Sequence, residues 1–267
     1  MKILVSGHTS AIGNKFVAYA LSQGHDVELL GSNLHGGWRL GECLPKGLAS
    51  EGLVHFAHDR SRSPGDMAKD IQLIFDDFEG HSVLISTLSA HKKSKSRYGK
   101  SKFIAEDLFL RQGGAVLKSG LIVDDIENRF MTLLENLSGR FPVVFLPFRG
   151  KSNFYFTSSL SLVREIEFAL VSQRSGTIRT FHVLPFSMER IVKSFHCDRG
   201  RLFIRVPSLF SATGILALGK LLPNSNLMDS LKSLVKEISL KELTELESPK
   251  FDFSLSPTLT EKLFIKT

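Results

Sequence analysis

Tyr98 and Lys102 stand four residues apart at the start of a segment with helical periodicity, so both side chains point to one face. A free tyrosine has a pKa near about 10 and is a poor base at neutral pH. A neighbouring ammonium stabilises the phenolate, as a positively charged nicotinamide would, and both lower that pKa. Such a tyrosine can take a proton from a hydroxyl while hydride leaves the same carbon. Upstream, Ile85-Ser86-Thr87-Leu88-Ser89 ends a strand-like run with three hydroxyls. Ser86 or Thr87 is placed to hydrogen-bond the substrate oxygen, and Ser89 and His91 are candidates for further substrate contact. Standing alone, a tyrosine with a lysine four positions on is an ordinary helix-surface pair. Its company makes the pair chemical.

That company begins at Gly7-His8-Thr9-Ser10-Ala11-Ile12-Gly13, between an apolar strand-like run and an amphipathic helix. A dinucleotide fold needs glycine at its first turn, where the backbone bends sharply and approaches the pyrophosphate. The following helix N-terminus then offers N–H groups and a positive dipole to the anion. The turn keeps the first and last glycines of a G-x-x-G-x-x-G pattern, with Ser10 at the middle position. Cofactors with a free ribose 2′-hydroxyl are usually held by a carboxylate at the end of the second strand. Here that strand runs into Leu29-Leu30-Gly31-Ser32-Asn33 without an acid. The reading therefore favours NADP over NAD, with Ser32, Asn33 and Arg39 as candidate partners of a 2′-phosphate. The alternative for Ser32 and Asn33 is a plain turn, which their types also favour. Ala57 and His58, after the next strand-like run, are candidates to border the cofactor.

These groups need elements to hold them. Ile3, Leu4 and Val5 form the continuous apolar run of a buried parallel strand. Ile12, Phe16, Val17, Ala20 and Leu21 recur at helical spacing up to Gly24, and Val27–Leu30 reads as a second strand. The sequence predicts further strands at Leu53–Ala57, Val83–Ser86, Ala115–Lys118 and Leu121–Val123. It predicts helices over Asp66–Phe78 and from Arg97 to Gln112, and an irregular, glycine-rich stretch between Gly31 and Gly52. Strands alternating with helices at this rhythm predict an α/β, Rossmann-like, doubly wound parallel sheet. Beyond it, helices are expected at Arg129–Leu137, Leu160–Ser172, Met188–Phe195, Leu209–Leu222 and Leu227–Ile238, with strands at Phe181–Leu184 and Arg201–Val206. Residues 1–185 are read as the NAD(P)-binding domain, with part of 124–155 open to the other lobe. Residues 186–267 are read as a small C-terminal substrate lobe.

Leu4-Val5-Ser6-Gly7 through Gly13, Val54-His55-Phe56-Ala57-His58, Leu84-Ile85-Ser86-Thr87, and Tyr98-Gly99-Lys100-Ser101-Lys102 followed by Ala105-Glu106 occur in this order. Together they resemble the extended short-chain dehydrogenase/reductase family, in its NAD-dependent epimerase/dehydratase branch, over residues 1–185. The resemblance implies a Rossmann-like domain with a small substrate domain, often in a homodimer, and nucleotide-activated sugars as common substrates. It places Gly7, Ser10 and Ile12 around the pyrophosphate and Ala57 along the cofactor cleft. Tyr98 becomes the acid/base, and Lys102 holds the nicotinamide ribose while tuning Tyr98. Thr87 matches the family's Ser/Thr position best, with Ser86 beside it. Three departures stand out. Ser10 replaces the middle glycine; the stretch before Leu53 is too short for the family's third strand and helix, abbreviating the adenine pocket; and Lys118-Ser119-Gly120 stands where the family has Arg-Pro-Gly.

Bulk properties narrow the remaining classes. With 267 residues, 42% hydrophobic and 23% charged, the chain can bury a large core and carries no low-complexity tract. Its start lacks the charged n-region and cleavage site of a secretory signal, and its longest apolar stretch, near Leu209–Leu222, is short of the roughly 20 residues of a membrane span. Cys43 and Cys197 stand far apart without metal-ligand spacing, so neither a metal nor a disulfide framework is expected, and a cytoplasmic setting is. The net charge of +7 is partly local, in Lys92, Lys93, Lys95, Arg97, Lys100 and Lys102. That run reads as a solvated basic loop or a phosphate-facing rim ahead of a nucleic-acid surface. The combined reading is an NAD(P)-dependent enzyme acting at an alcohol or ketone carbon of a nucleotide sugar or similar polar metabolite. The residues serve epimerase and reductase alike. The rival class is a catalytically silent dinucleotide-binding sensor.

Overall fold

The computed structural model describes residues 1–31, 37–94, 96–123, 132, 135–136, 143–146, 153–182, 184–194, 202–205 and 250–251. The chain forms two compact units. One is Met1–Ser119 with Ser159–Thr180 and Ile238–Asp252; the other is Gly120–Ser158 with Phe181–Glu237 and Phe253–Thr267.

The first unit is built on β1 (Lys2–Ser6), β2 (Asp26–Leu30), β3 (Gly52–His55), β4 (His81–Thr87), β5 (Ala115–Ser119) and β10 (Gly176–Arg179). Their order is β10-β5-β4-β3-β1-β2, and every pairing is parallel. Parallel neighbours need crossovers, and helices supply them: α1 (Ala11–Ser22), α2 (Pro64–Asp76), α3 (Arg97–Arg111) and α4 (Ser159–Val171). Each of the first three begins at a serine, Ser10, Ser63 and Ser96, whose hydroxyl accepts the backbone N–H three residues on. Pro64 sets the start of α2, two residues before the position the apolar spacing predicts. Helix α1 packs with α4, and α2 with α3, so helices cover both sheet faces as the doubly wound reading requires.

Strand register decides which chemistry lies under which helices. Leu4 lies beside Leu53, His55 beside Leu84, and Leu84 beside Val116. With Met67, Ile71, Ile74, Ala105 and Phe109 these apolar side chains form the core beneath α2 and α3. Because the strand period is two, His55, Ser86 and Lys118 share that face, whereas Ile85 and Thr87 face the other way. Between β2 and β3 the chain has no strand among the described residues, and β2 is the sheet's outer strand. Trp38 and Leu44 are buried there against Leu4, Leu30, Leu53 and Ile74, so an irregular segment covers this part of the sheet.

In the second unit, β6 (Leu121–Val123) pairs parallel with β9 (Phe156–Ser158), and β7 (Val143–Leu146) with β12 (Leu202–Arg205). Strand β8 (Asn153–Phe154) runs antiparallel to β11 (Phe186–Ser187), which leads into α5 (Met188–Ser194). Val123, Leu146, Phe154, Phe156, Phe186 and Ile191 belong to its core. The strand expected at Phe181–Leu184 lies earlier, at Gly176–Arg179. Gly176–Arg179 finds an open edge on β5, while Phe181 is buried edge-on against Tyr155 and gives the chain a packing anchor instead. The helices expected at Leu209–Leu222 and Leu227–Ile238 lie outside the described residues, as does most of Arg129–Leu137.

Candidate active site

The glycine turn closes on itself. Gly7 has φ +76°, and a Cβ there would stand 2.4 Å from the Ala57 backbone nitrogen. A Cβ on Gly13 would stand 2.5 Å from the Gly7 carbonyl oxygen. Both positions therefore exclude a side chain for reasons internal to the turn. The Ser10 hydroxyl donates to the Gly7 carbonyl (2.9 Å) and accepts the Gly13 N–H (3.1 Å). It fills the turn from inside rather than reaching out of it. The N–H groups of Ala11 and Ile12 remain as first-turn donors without a place in the helix ladder. Thr9 and Ala11 are exposed and Ile12 is half-buried. The His8 Nδ1 lies 3.2 Å from the Leu30 carbonyl oxygen, which brings its ring to the end of β2.

Tyr98 is reached from Ala57 through one residue. The His58 ring meets the Tyr98 ring edge-on, centroids 4.7 Å apart, and the Arg60 guanidinium lies over the Tyr98 face at 5.4 Å. Burial pushes the phenol's pKa up, and the charge opposing that rise is Arg60. The sequence assigns this tuning to Lys102, but the Lys102 ammonium points back to the sheet and donates to the Ile85 carbonyl (2.9 Å). Gly99 seats the tyrosine's helical turn against the loop after β4. A Cβ there would come within 2.3 Å of the Ser89 carbonyl oxygen, closer still to Ser94 Oγ, and 2.9 Å from Ser96 Oγ. In that loop Thr87 Oγ1 lies 3.3 Å from Ser89 Oγ, and Ala90 N–H donates to the Thr87 carbonyl. His91 is half-buried in the same loop, its carbonyl accepting the Ser94 N–H.

Beneath the tyrosine runs a buried polar chain. Lys102 is 4% exposed and Glu106 is 6% exposed. Glu106 pairs with Lys118 (2.9 Å) and accepts the Ser86 hydroxyl; Lys118 also donates to the Ala90 carbonyl (2.6 Å), holding the hydroxyl loop. Burial lowers the Lys102 pKa to about 8 against the pull of Glu106, and burial raises that of Glu106 against Lys118. His55 is fully buried, with Nδ1 2.7 Å from Ser6 Oγ and its ring against Phe109. Burial first, then the Lys102 charge, holds its pKa down to about 3. Below pH 6.5 the unfolded chain binds this proton and the folded chain does not, so stability falls with pH from 6.5 towards about 3. His55→Asn is expected to remove up to about 3 kcal/mol of the acid loss between pH 6.5 and about 4, measured by urea unfolding.

The structure thus brings Gly7, Ser10, Gly13, Ala57, His58, Tyr98, Lys102, Thr87 and Ser89 into one connected region of the first unit. Ser86 is turned under α3 and closed off by Glu106. Arg39 is exposed, its backbone N–H bound by Glu42, and Ser32 and Asn33 lie outside the described residues. Lys95 and Cys197 also lie outside them. Of the basic run, Lys92, Lys93, Arg97 and Lys100 are exposed, whereas Lys102 is interior. Four contributors escape a reading of residue types: His55, Arg60, Glu106 and Lys118. His55, polar within an apolar run, Glu106, one helical turn after Lys102, and Lys118, in the departing Lys118-Ser119-Gly120, leave a trace in the sequence, and Arg60 leaves none. Among the described residues no group of three or more His, Cys, Asp or Glu could hold a metal, and no helix is long and apolar enough to cross a membrane.

Neither a protein-family model nor a curated protein sequence matches the chain. Solved structures do. A dTDP-4-dehydrorhamnose reductase from Yersinia enterocolitica superposes with a TM-score of 0.59 at 15% identity, over 78% of this chain and 84% of its own. A UDP-N-acetylglucosamine 4-epimerase from Bacillus cereus gives 0.58 at 15% identity, over 89% and 100%. A human epimerase family protein determined with NADPH gives 0.59 at 15% identity, again over 89% and 100%. The chain shares its fold with these reductases and epimerases.

Proposed function

We propose that the chain is an NAD(P)-dependent oxidoreductase or epimerase that works at an alcohol or ketone carbon of a polar metabolite. The observation that carries this reading is Tyr98, set at the start of α3 with its ring against His58 and with the next residue, Gly99, seated on the loop after β4, in a fold shared with proteins named for that chemistry. The first turn suits a dinucleotide: two positions admit only glycine, and α1 begins with backbone donors that its own ladder leaves over. A bound nicotinamide would supply or accept the hydride. Tyr98 gives a proton to, or takes one from, the substrate oxygen. Thr87 hydrogen-bonds that oxygen and orients it, Ser89 and His91 extend the contact, and Lys102 braces α3 against the carbonyl of Ile85.

The Ala11 and Ile12 N–H groups take the pyrophosphate, and Ala57 lines the cleft. The end of β2 carries no carboxylate, so NADP remains the favoured cofactor, with Arg39, Ser32 and Asn33 towards its ribose. A nucleotide sugar is the favoured substrate, since the neighbours named above are a deoxysugar-nucleotide reductase and a sugar-nucleotide epimerase. The second unit takes the substrate-lobe role assigned to residues 186–267. A homodimer and a cytoplasmic location complete the reading.

The test is a fluorescence titration of nucleotide-free protein with NADPH and with NADH. NADPH is expected to bind the more tightly, and Gly7→Ala to weaken it by at least about tenfold, about 1.4 kcal/mol, because a Cβ meets the Ala57 backbone. A protein that binds neither nucleotide refutes the reading, and tighter NADH binding reverses the cofactor preference.

A further inference from the structure

We infer that Arg60 is a positioning residue for Tyr98: its guanidinium, laid over the phenol ring, holds the ring's orientation and favours the phenolate over the phenol. The inference rests on the reading of Tyr98 as the acid/base. A cation within about 6 Å of an aromatic centroid is attracted by the ring's negative face, and here the separation is 5.4 Å. A negative charge on the phenolate oxygen strengthens that attraction, so the same contact that orients the ring also stabilises its ionised form. His58 meets the ring edge-on at 4.7 Å, and the two contacts restrict the ring from two directions.

An exposed arginine on a loose loop would visit many positions, but the backbone on both sides of Arg60 is braced. Asp59 Oδ1 accepts the Ser61 N–H (2.8 Å) and the Ser61 hydroxyl (2.6 Å). Arg62 pairs with the buried Asp70 (2.8 Å) and donates to the Leu40 carbonyl (3.0 Å). Arg97, in the first turn of α3 beside Tyr98, donates to the carbonyls of Ser61 and Arg62, each at 3.2 Å. The loop that carries Arg60 is therefore tied to the helix that carries Tyr98. Among the described residues, His58 and Arg60 from this loop lie against the phenol ring, and Lys102 stands on the next turn of α3. Lys102 directs its ammonium to the Ile85 carbonyl, and the Glu106 charge acts on it there. Arg60 is the cation that acts on the phenol, in line with its opposition to the effect of burial.

The chain has three tyrosines, Tyr19, Tyr98 and Tyr155, so each can be followed separately. Biosynthetic fluorotyrosine lowers the intrinsic pKa, and fluorine NMR reads the titrations, with Tyr98→Phe assigning the resonance. Arg60→Met is expected to raise the Tyr98 pKa by about half a unit and leave Tyr19 and Tyr155 in place. Arg60→Lys, which keeps the charge, is expected to restore at least half of that shift. An unmoved Tyr98 titration in Arg60→Met, or equal shifts in the Met and Lys variants, overturns the inference. No nucleotide or substrate enters this measurement. A failure of the acid/base reading would appear instead as full turnover in Tyr98→Phe, so the two failures are distinguishable.

Discussion

Tyr98→Phe is expected to cut turnover by about 10²–10⁴-fold while leaving NADPH affinity essentially unchanged. The substitution removes one oxygen and keeps the ring. The edge contact with His58 and the face under Arg60 both survive, and so does the packing of α3 against the loop after β4. What disappears is the hydroxyl that the proposed mechanism uses to give or take the proton as the carbon changes oxidation state. The loss should fall on kcat and kcat/KM together, because that interaction develops in the transition state rather than on binding. The check is NADPH consumption with 4-keto sugar nucleotides and simple polar ketones, beside a nucleotide titration of the same preparation. Wild-type turnover in the variant removes Tyr98 from the mechanism. Loss of nucleotide binding assigns the side chain to the cofactor cleft instead.

Glu106→Ala is expected to destabilise the first unit by about 3–5 kcal/mol, the usual cost of removing one partner from a buried ion pair. The carboxylate faces two ammonium groups on the inner side of α3, Lys118 at 2.9 Å and Lys102 one turn back, and it accepts the Ser86 hydroxyl. Without it, Lys102, 4% exposed and already lowered in pKa by burial, loses the carboxylate that opposes that shift. Lys118 is 14% exposed at its side chain and can turn partly towards water, which places the loss nearer the lower end of that range. Glu106→Gln keeps the volume and a hydrogen-bonding oxygen, and is expected to cost less than the alanine. The wild-type carboxyl has a raised pKa, so its protonated form is favoured by folding. Its contribution to stability is complete below pH 4.5 and declines as pH rises through the shifted value. That trend is opposite in sign to the one set by His55. Urea unfolding of wild type and both variants across pH separates the two. A Glu106→Ala midpoint equal to wild type would show the pair to be solvated.

Lys118, the first residue of the Lys118-Ser119-Gly120 departure, has a structural place beside Glu106. Lys118, at the end of β5, supplies a cation to Glu106 and a donor to the Ala90 carbonyl, which keeps the Thr87–Ser89 loop beside α3. Ser10 is a comparable case. From residue type alone its hydroxyl faces two fates, donation to a phosphate or displacement of one. In the folded turn it is spent on Gly7 and Gly13, and the helix begins at Ser10 as its cap.

Local pattern by itself determined the βαβ opening, the glycine turn, the apolar strands, the tyrosine–lysine helix and the doubly wound sheet. Each rests on interactions within a few residues: a continuous apolar run for a strand buried on both faces, a 3.6-residue period for a helix, glycine where a Cβ has no room. Tertiary structure alone decided which polar groups face one another. The parallel register of β3, β4 and β5 put His55, Ser86 and Lys118 on the face under α3, and so turned Ser86 towards Glu106 and left Thr87 for the strand end. It also carried Arg60 across to Tyr98, thirty-eight residues further along the chain, and turned Lys102 inward to the Ile85 carbonyl. A side chain's charge and its spacing along one helix are properties of the sequence. The partner it meets depends on which strand lies alongside, and that is settled only when the sheet closes and water leaves the space between the layers.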